Sequence, residues 1–124
     1  MKLYSILTTL LMPILLTTIM IGICYGIINP ILRSKKFNSK DWIENVDSRY
    51  KMVNDLKKNN KLNGKTKKEI IELLGTEYTT DCWTKNTICY ATPDPDNYAM
   101  LDHYEFVVFL NKKNKVERVE NINR

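Results

Sequence analysis

Histidine occurs once in this chain of 124 residues, cysteine three times, and glycine and proline four times each. The solitary His103 has no partners at a metal-motif spacing, and Cys82 with Cys89 but no further ligands is not a zinc site. Three cysteines also exclude a disulfide-dense miniprotein. No internal repeat and no low-complexity tract runs through the sequence. No P-loop, dinucleotide fingerprint, nucleophile elbow or paired-acid motif is present. Asp94 and Asp96 lie close together, but on a proline-held stretch that suits turn chemistry. The length excludes a multidomain enzyme. The sequence therefore nominates no catalytic residue, no cofactor, no metal and no small-molecule substrate, and the expectation is a protein that is not an enzyme.

Charge is missing from one end. The chain carries 19 basic and 14 acidic residues, net +5, yet its first 32 residues hold a single charged side chain, Lys2. From residue 6 to residue 28 the run is almost wholly apolar or small. As a helix it is about 35 Å long, enough to cross a hydrocarbon core of about 30 Å. Thr8, Thr9, Thr17 and Thr18 can return their hydroxyls to backbone carbonyls one turn earlier, and Pro13 should kink the helix, a defect that membranes tolerate. Asn29, Pro30 and the following Arg33, Lys35 and Lys36 end the span, and these three cations are candidates for contact with anionic headgroups. A cleaved signal peptide would show a shorter apolar run and a small-residue cleavage site. A lipidated Cys24 would need a small residue before it, where Ile23 stands. The expected organisation is a transmembrane anchor over residues 1–32, a tether over 33–40 and a folded domain over 41–124.

In that domain, Ile43, Val46, Tyr50, Val53 and Leu56 recur every three or four residues, with Trp42 and Met52 beside the stripe. This predicts one amphipathic helix over 41–59, capped by Asn38 or Ser39. Thr66-Lys67-Lys68-Glu69 is a capping box, in which the hydroxyl and the carboxylate each satisfy a free backbone N–H. It opens a second helix with Ile70, Ile71, Leu73 and Leu74 as its buried face, and Gly75 ends it in a positive-φ conformation. Leu62, alone in the turn between the helices, should tuck into the core. Residues 78–83 and Thr87–Ala91 read as a strand pair across a turn at Lys85-Asn86. Tyr104–Leu110 is the strongest strand, with Tyr104, Phe106, Val108 and Leu110 on one face. A turn over 111–114 returns the chain to about residue 122. Val116 and Val119 are three apart, which breaks the two-residue period and predicts a bulge. The fold class is α+β: a transmembrane helix, then two helices packed on a three- to four-stranded antiparallel meander.

Lys57, Lys58, Lys61, Lys65, Lys67 and Lys68 crowd the inter-helix turn. Near a bilayer each such cation is worth about 1 kcal/mol against anionic lipid; away from one they form a solvated face. The interleaved aromatics or recognition helix of a nucleic-acid module are absent, so no nucleic acid is expected as a partner.

The runs Arg49-Tyr50-Lys51-Met52-Val53-Asn54-Asp55-Leu56, Leu62-Asn63-Gly64-Lys65-Thr66 and Glu69-Ile70-Ile71-Glu72-Leu73-Leu74-Gly75 resemble the two-helix opening of the BamE (SmpA/OmlA) superfamily. Tyr90, Asp102 and the strands over 106–110 and 116–119 match its sheet. The resemblance is to uncharacterised, membrane-anchored members and covers about residues 42–122. The same fold is similar to the repeats of β-lactamase inhibitor proteins. The resemblance implies the architecture; the expectation adopted for function is a domain that binds another protein, as an envelope scaffold or accessory subunit, through the sheet face or strand edge left free by the helices and the loop over 93–98. The inhibitor likeness implies the alternative, an inhibitor or immunity-type protein that blocks an enzyme or toxin.

Two arguments about sidedness oppose each other. Four basic residues follow the span and one precedes it, which by the positive-inside rule favours a cytoplasmic domain. The family resemblance implies export. In an oxidising compartment Cys82 and Cys89 can bridge across their hairpin, and in the cytoplasm they stay thiols. The expectation adopted is an extracytoplasmic domain with a Cys82–Cys89 disulfide.

Overall fold

A computed structural model describes residues 2–96 and 103–123 and resolves the chain into two compact units, Met1–Arg33 and Ser34–Arg124. The first is helix α1, Lys2–Leu32. It contains a candidate membrane span, Tyr4–Asn29, of 26 residues, whose most apolar 18-residue stretch has a mean hydropathy of 2.2. The span alone is about 39 Å long at 1.5 Å per residue. The threonines behave as expected: Thr8 Oγ1 donates to Tyr4 O at 2.9 Å, Thr17 Oγ1 to Ile14 O at 2.8 Å and Thr18 Oγ1 to Leu15 O at 2.8 Å. Thr9 Oγ1 likewise donates to Ser5 O. Each hydroxyl is thereby satisfied within the helix, as a lipid surround requires. The helix passes through Pro30 and ends at Leu32, the last residue of the expected anchor.

The second unit is α+β, with helices first and a four-stranded antiparallel meander after them, in the order β1-β2-β3-β4. Its helices are α2 (Ser39–Glu44), α3 (Arg49–Lys58) and α4 (Lys67–Leu74). Its strands are β1 (Thr79–Thr80), β2 (Thr87–Ala91), β3 (Tyr104–Leu110) and β4 (Val116–Asn123). One core lies between the helices and one sheet face. It is built from Trp42, Met52, Leu56, Ile70, Leu74, Ile88, Tyr90, Phe106 and Val108, all fully buried.

The single helix expected over 41–59 is two helices. The chain breaks at Asn45 (φ −129°, ψ 81°), passes through a 3₁₀ turn at Val46–Ser48 and restarts at Arg49. The break changes the phase of the buried stripe. Trp42, Arg49, Met52, Val53 and Leu56 are inside, while Ile43 is 41% exposed and Val46 and Tyr50 are half-buried. The segment expected as a tether also belongs to the unit. Lys35 N–H donates to Lys51 O at 2.8 Å, Phe37 N–H donates to Asp55 Oδ2 at 2.8 Å, and the Phe37 ring packs on the core. Asp55 also accepts from Lys61 Nζ. The Lys61 hydrogen bond, followed by the Phe37 N–H, holds the Asp55 carboxyl below the usual carboxylate range.

The cap on α2 is Asn38, whose side chain accepts from Asp41 N–H at 3.0 Å. The capping box on α4 is complete, with Glu69 Oε2 accepting from Thr66 N–H at 2.7 Å and Thr66 Oγ1 from Glu69 N–H at 3.3 Å. Leu62 is 1% exposed, in the core as expected. Of the predicted buried face of α4, Ile70 and Leu74 are fully covered and Ile71 and Leu73 half so. Gly75 ends α4 at φ +88°, ψ −179°, a region open essentially to glycine alone. A Cβ there would sit 3.1 Å from Ile43 Cγ1. Thr66→Ala should therefore cost about 1 kcal/mol of unfolding free energy. Gly75→Ala, which combines backbone strain with that contact, should cost roughly 1–3 kcal/mol. Urea denaturation measures both, and a neutral Gly75→Ala would refute the positive-φ cap.

The predicted bulge is present. Phe109 pairs with Arg118 and Leu110 with Val116, so Glu117 is the extra residue. The expected strand over 78–83 shrinks to Thr79–Thr80, paired with Cys89 and Ile88. Asp81 (φ 51°) and Asn86 (φ 63°) take left-handed backbone, which short polar side chains tolerate, and residues 81–86 leave the sheet as a lobe.

Candidate interaction surface

Alternation along the strands puts Ile88, Tyr90, Phe106, Val108 and Leu110 under the helices. It sends Thr87, Cys89, Glu105, Val107, Phe109, Arg118, Glu120 and Ile122 to the opposite, outer face. That face is not bare. Cys89 is 2% exposed and Val107 is fully buried.

The 81–86 lobe is fastened to this face. Cys82 and Cys89 form a disulfide with Cα atoms 6.4 Å apart, within the normal span for such bridges. Trp83 Nε1 donates to Glu105 Oε2 at 3.0 Å, reaching from the lobe to β3. Within the lobe, Asn86 N–H donates to Asp81 Oδ1 at 2.7 Å and Thr87 Oγ1 donates to Thr84 O at 2.7 Å. Asn86 O in turn accepts from Leu110 N–H at 2.9 Å. A segment with almost no strand structure is thus held by one covalent and several polar ties.

Beyond the lobe the outer face stays open. The Arg118 guanidinium lies 3.7 Å from the centroid of the Phe109 ring and pairs with Glu120. The ring is shielded on one side by a cation that is itself half exposed. Trp83 is 38% exposed. Ile122 extends the patch along β4, an edge strand. An indole, a stacked arginine–phenylalanine pair and an aliphatic side chain on a rigid sheet form the composition that dominates protein–protein interface energetics.

A buried cation forms a second cluster. Arg49 is 2% exposed, with Nε donating to Trp42 O at 2.7 Å, Nη1 to Ala91 O at 3.4 Å, and Nη2 3.7 Å from Glu77 Oε2. Burial pushes its pKa down, and Glu77 and then Tyr90 oppose that. Its hydrogen bonds go to carbonyls that end α2 and β2, so it joins the helical layer to the sheet. Tyr90 donates from its hydroxyl to Gly75 O at 3.0 Å, and burial pushes that phenol up. Both are structural contacts made to backbone.

The remaining candidates are dispersed. Lys35 is spent on an ion pair with Asp41 at 2.6 Å, Lys36 is exposed, and Arg33 lies in the other unit, its N–H bonded to Asn29 O. His103 is exposed, and no group of three metal-ligating side chains occurs among the described residues. Asp96 N–H donates to Asp94 Oδ1 at 3.0 Å, which is turn chemistry as expected. Asp102 and the far part of the 93–98 loop, including Tyr98, lie outside the described residues.

No family model, curated protein or solved structure matches this chain.

The sequence pointed to the helix-free sheet face without naming its residues. Alternation from Phe106 and Val108 would have located Glu105, Val107 and Phe109, but an unbroken apolar run such as 106–110 hides which parity faces out. Trp83 carried no signal of its own, because the lobe that presents it read as a strand.

Proposed function

We propose that the chain is a single-pass membrane protein that displays a BamE-like α+β domain outside the cytoplasm. The domain binds another protein through its outer sheet face, as an envelope scaffold or accessory subunit. The observation that carries this reading is the face itself, with Trp83 and Ile122 at the Glu105 end of β3 and the Phe109–Arg118 stack about 13 Å further along, beside an edge strand and clear of the helices. The anchor rests on the candidate span Tyr4–Asn29. Helices followed by an antiparallel meander is the order that the family resemblance implies, with three helices here in place of the two expected. A bridged Cys82–Cys89 pair suits an oxidising compartment.

A photoreactive residue at Ala91, an exposed position on this face, tests the reading in membranes holding the full-length protein. A discrete crosslinked adduct is expected, and Trp83→Ala with Arg118→Glu should abolish it. An adduct from an equivalent probe at Glu72 on α4, with none from Ala91, would move the partner to the helices and reject this surface. A hydrolase or toxin in the Ala91 adduct, inactive while bound, would replace the scaffold with an inhibitor.

A further inference from the structure

The turn between α3 and α4 and the turn between β3 and β4 are distant in sequence and adjacent in the fold. Gly64 N–H donates to Val116 O at 2.9 Å, Val116 N–H to Lys65 O at 2.8 Å and Lys67 N–H to Asn114 O at 3.1 Å. Thr66 and Lys115 form a β-bridge between the same segments. These bonds gather the inter-helix lysines, Lys57 through Lys68, against Lys112, Lys113 and Lys115. All of them are exposed or half-exposed. The carboxylates nearby are outnumbered. Asp55 pairs with Lys61, Glu69 keeps its charge within the Thr66 cap and feels Lys65 and Lys115, and Glu72 and Glu117 flank the cluster, so four acids face nine lysines. Among the described residues no ion pair neutralises any of these lysines except Lys61.

We infer that this lysine pole docks on the anionic headgroups of the bilayer that α1 enters. The inference rests on the membrane-anchor part of the proposed function. Chain connectivity favours a lipid surface. Only Arg33 and Ser34 separate the last residue of α1 from Lys35, whose N–H is already bonded within the folded domain. The three residue steps from Leu32 to Lys35 span at most about 11 Å of chain, so a headgroup surface is the anionic surface nearest to the domain along the sequence. The chemistry of the pole agrees. Lysines are flexible point charges that follow a diffuse anionic surface, and each one near such a surface strengthens association roughly fivefold. No aromatic side chain occurs among residues 57–68 or 111–116 on which a nucleic-acid base could stack.

Full-length protein in nanodiscs of phosphatidylcholine, or of phosphatidylcholine mixed with phosphatidylserine, tests the inference by amine acetylation read lysine by lysine. With phosphatidylserine, acetylation of Lys58, Lys68 and Lys113 should slow by roughly fivefold or more. The protection should disappear at about 1 M salt, where the Debye length is about 3 Å. A Lys112→Glu, Lys113→Glu variant, changed in an exposed turn, should lose it at Lys58 and Lys68. Protection confined to Lys35, Lys36 and Lys40 would overturn the inference while leaving the anchor standing. Failure of the protein to enter nanodiscs at all would overturn both. Protection of the pole by added duplex DNA in phosphatidylcholine discs, with none from phosphatidylserine, would assign the pole to nucleic acid instead.

Discussion

Trp42→Ala should cost the Ser34–Arg124 unit roughly 3–5 kcal/mol, the range for truncating a large buried aromatic. Three rings meet Trp42 edge-on: Phe106 at 5.5 Å, Phe37 at 6.1 Å and Tyr90 at 6.2 Å between centroids. Arg49 lies over its face, 5.5 Å from the centroid. Alanine would remove all four contacts and open a cavity where α2, the N-terminal segment and the sheet converge. Against a typical domain stability of about 5–15 kcal/mol, that is a large fraction. Trp42→Phe separates packing from polarity. The indole Nε1 is buried and has no hydrogen-bond partner among the described residues, a state that carries a desolvation cost. Phenylalanine deletes that donor and keeps most of the ring, so its cost in urea denaturation should be far smaller. Equal losses for the two variants would mean that the indole nitrogen contributes something the core does not reveal.

Removing the Cys82–Cys89 bridge, by reduction or as a paired Cys82→Ser, Cys89→Ser variant, is expected to cost roughly 2–3 kcal/mol from chain entropy for so short a loop. The effect should concentrate in the lobe, because residues 81–86 have no other covalent tie and contribute only two residues of strand before them. Hydrogen exchange should rise in the lobe and around Val107 before it rises in β3 as a whole. Trp83 should lose its fixed position against Glu105, and with it the indole that the outer face presents. A bridge-free protein whose lobe exchanges as slowly as the wild type would show that Trp83–Glu105 and the Asp81–Asn86 turn suffice alone.

Local chemistry was the most legible part of this sequence. The Thr66–Glu69 capping box, the positive-φ Gly75 and the Glu117 bulge each depend on a few neighbouring residues, and each appears where those residues place it. The helix break was hidden because Ile43, Val46, Tyr50, Val53 and Leu56 keep an unbroken helical period. Nothing local announces that Asn45 will leave the helix so that Trp42 and Arg49 turn inward. That outcome is tertiary: Trp42 fits among Phe37, Tyr90 and Phe106, and its carbonyl meets the Arg49 guanidinium. The tether was misread for a related reason. A stretch with an arginine, three lysines and an asparagine looks solvated, but the Phe37 ring and the Asp55 carboxylate bind it to the domain. The outer face was legible as a location and its residues were not, since the lobe that supplies Trp83 depends on two left-handed residues and a covalent bridge.

The central proposal is a membrane helix bearing a disulfide-closed domain outside the cytoplasm. Labelling of intact cells with a membrane-impermeant maleimide, with and without prior reduction, tests it most directly. The expected result is no labelling of Cys82 or Cys89 before reduction and labelling of both after it, with Cys24 unreactive inside the span. Thiols at Cys82 and Cys89 that react without reduction, and only once the cells are lysed, would put the domain in the cytoplasm and contradict it.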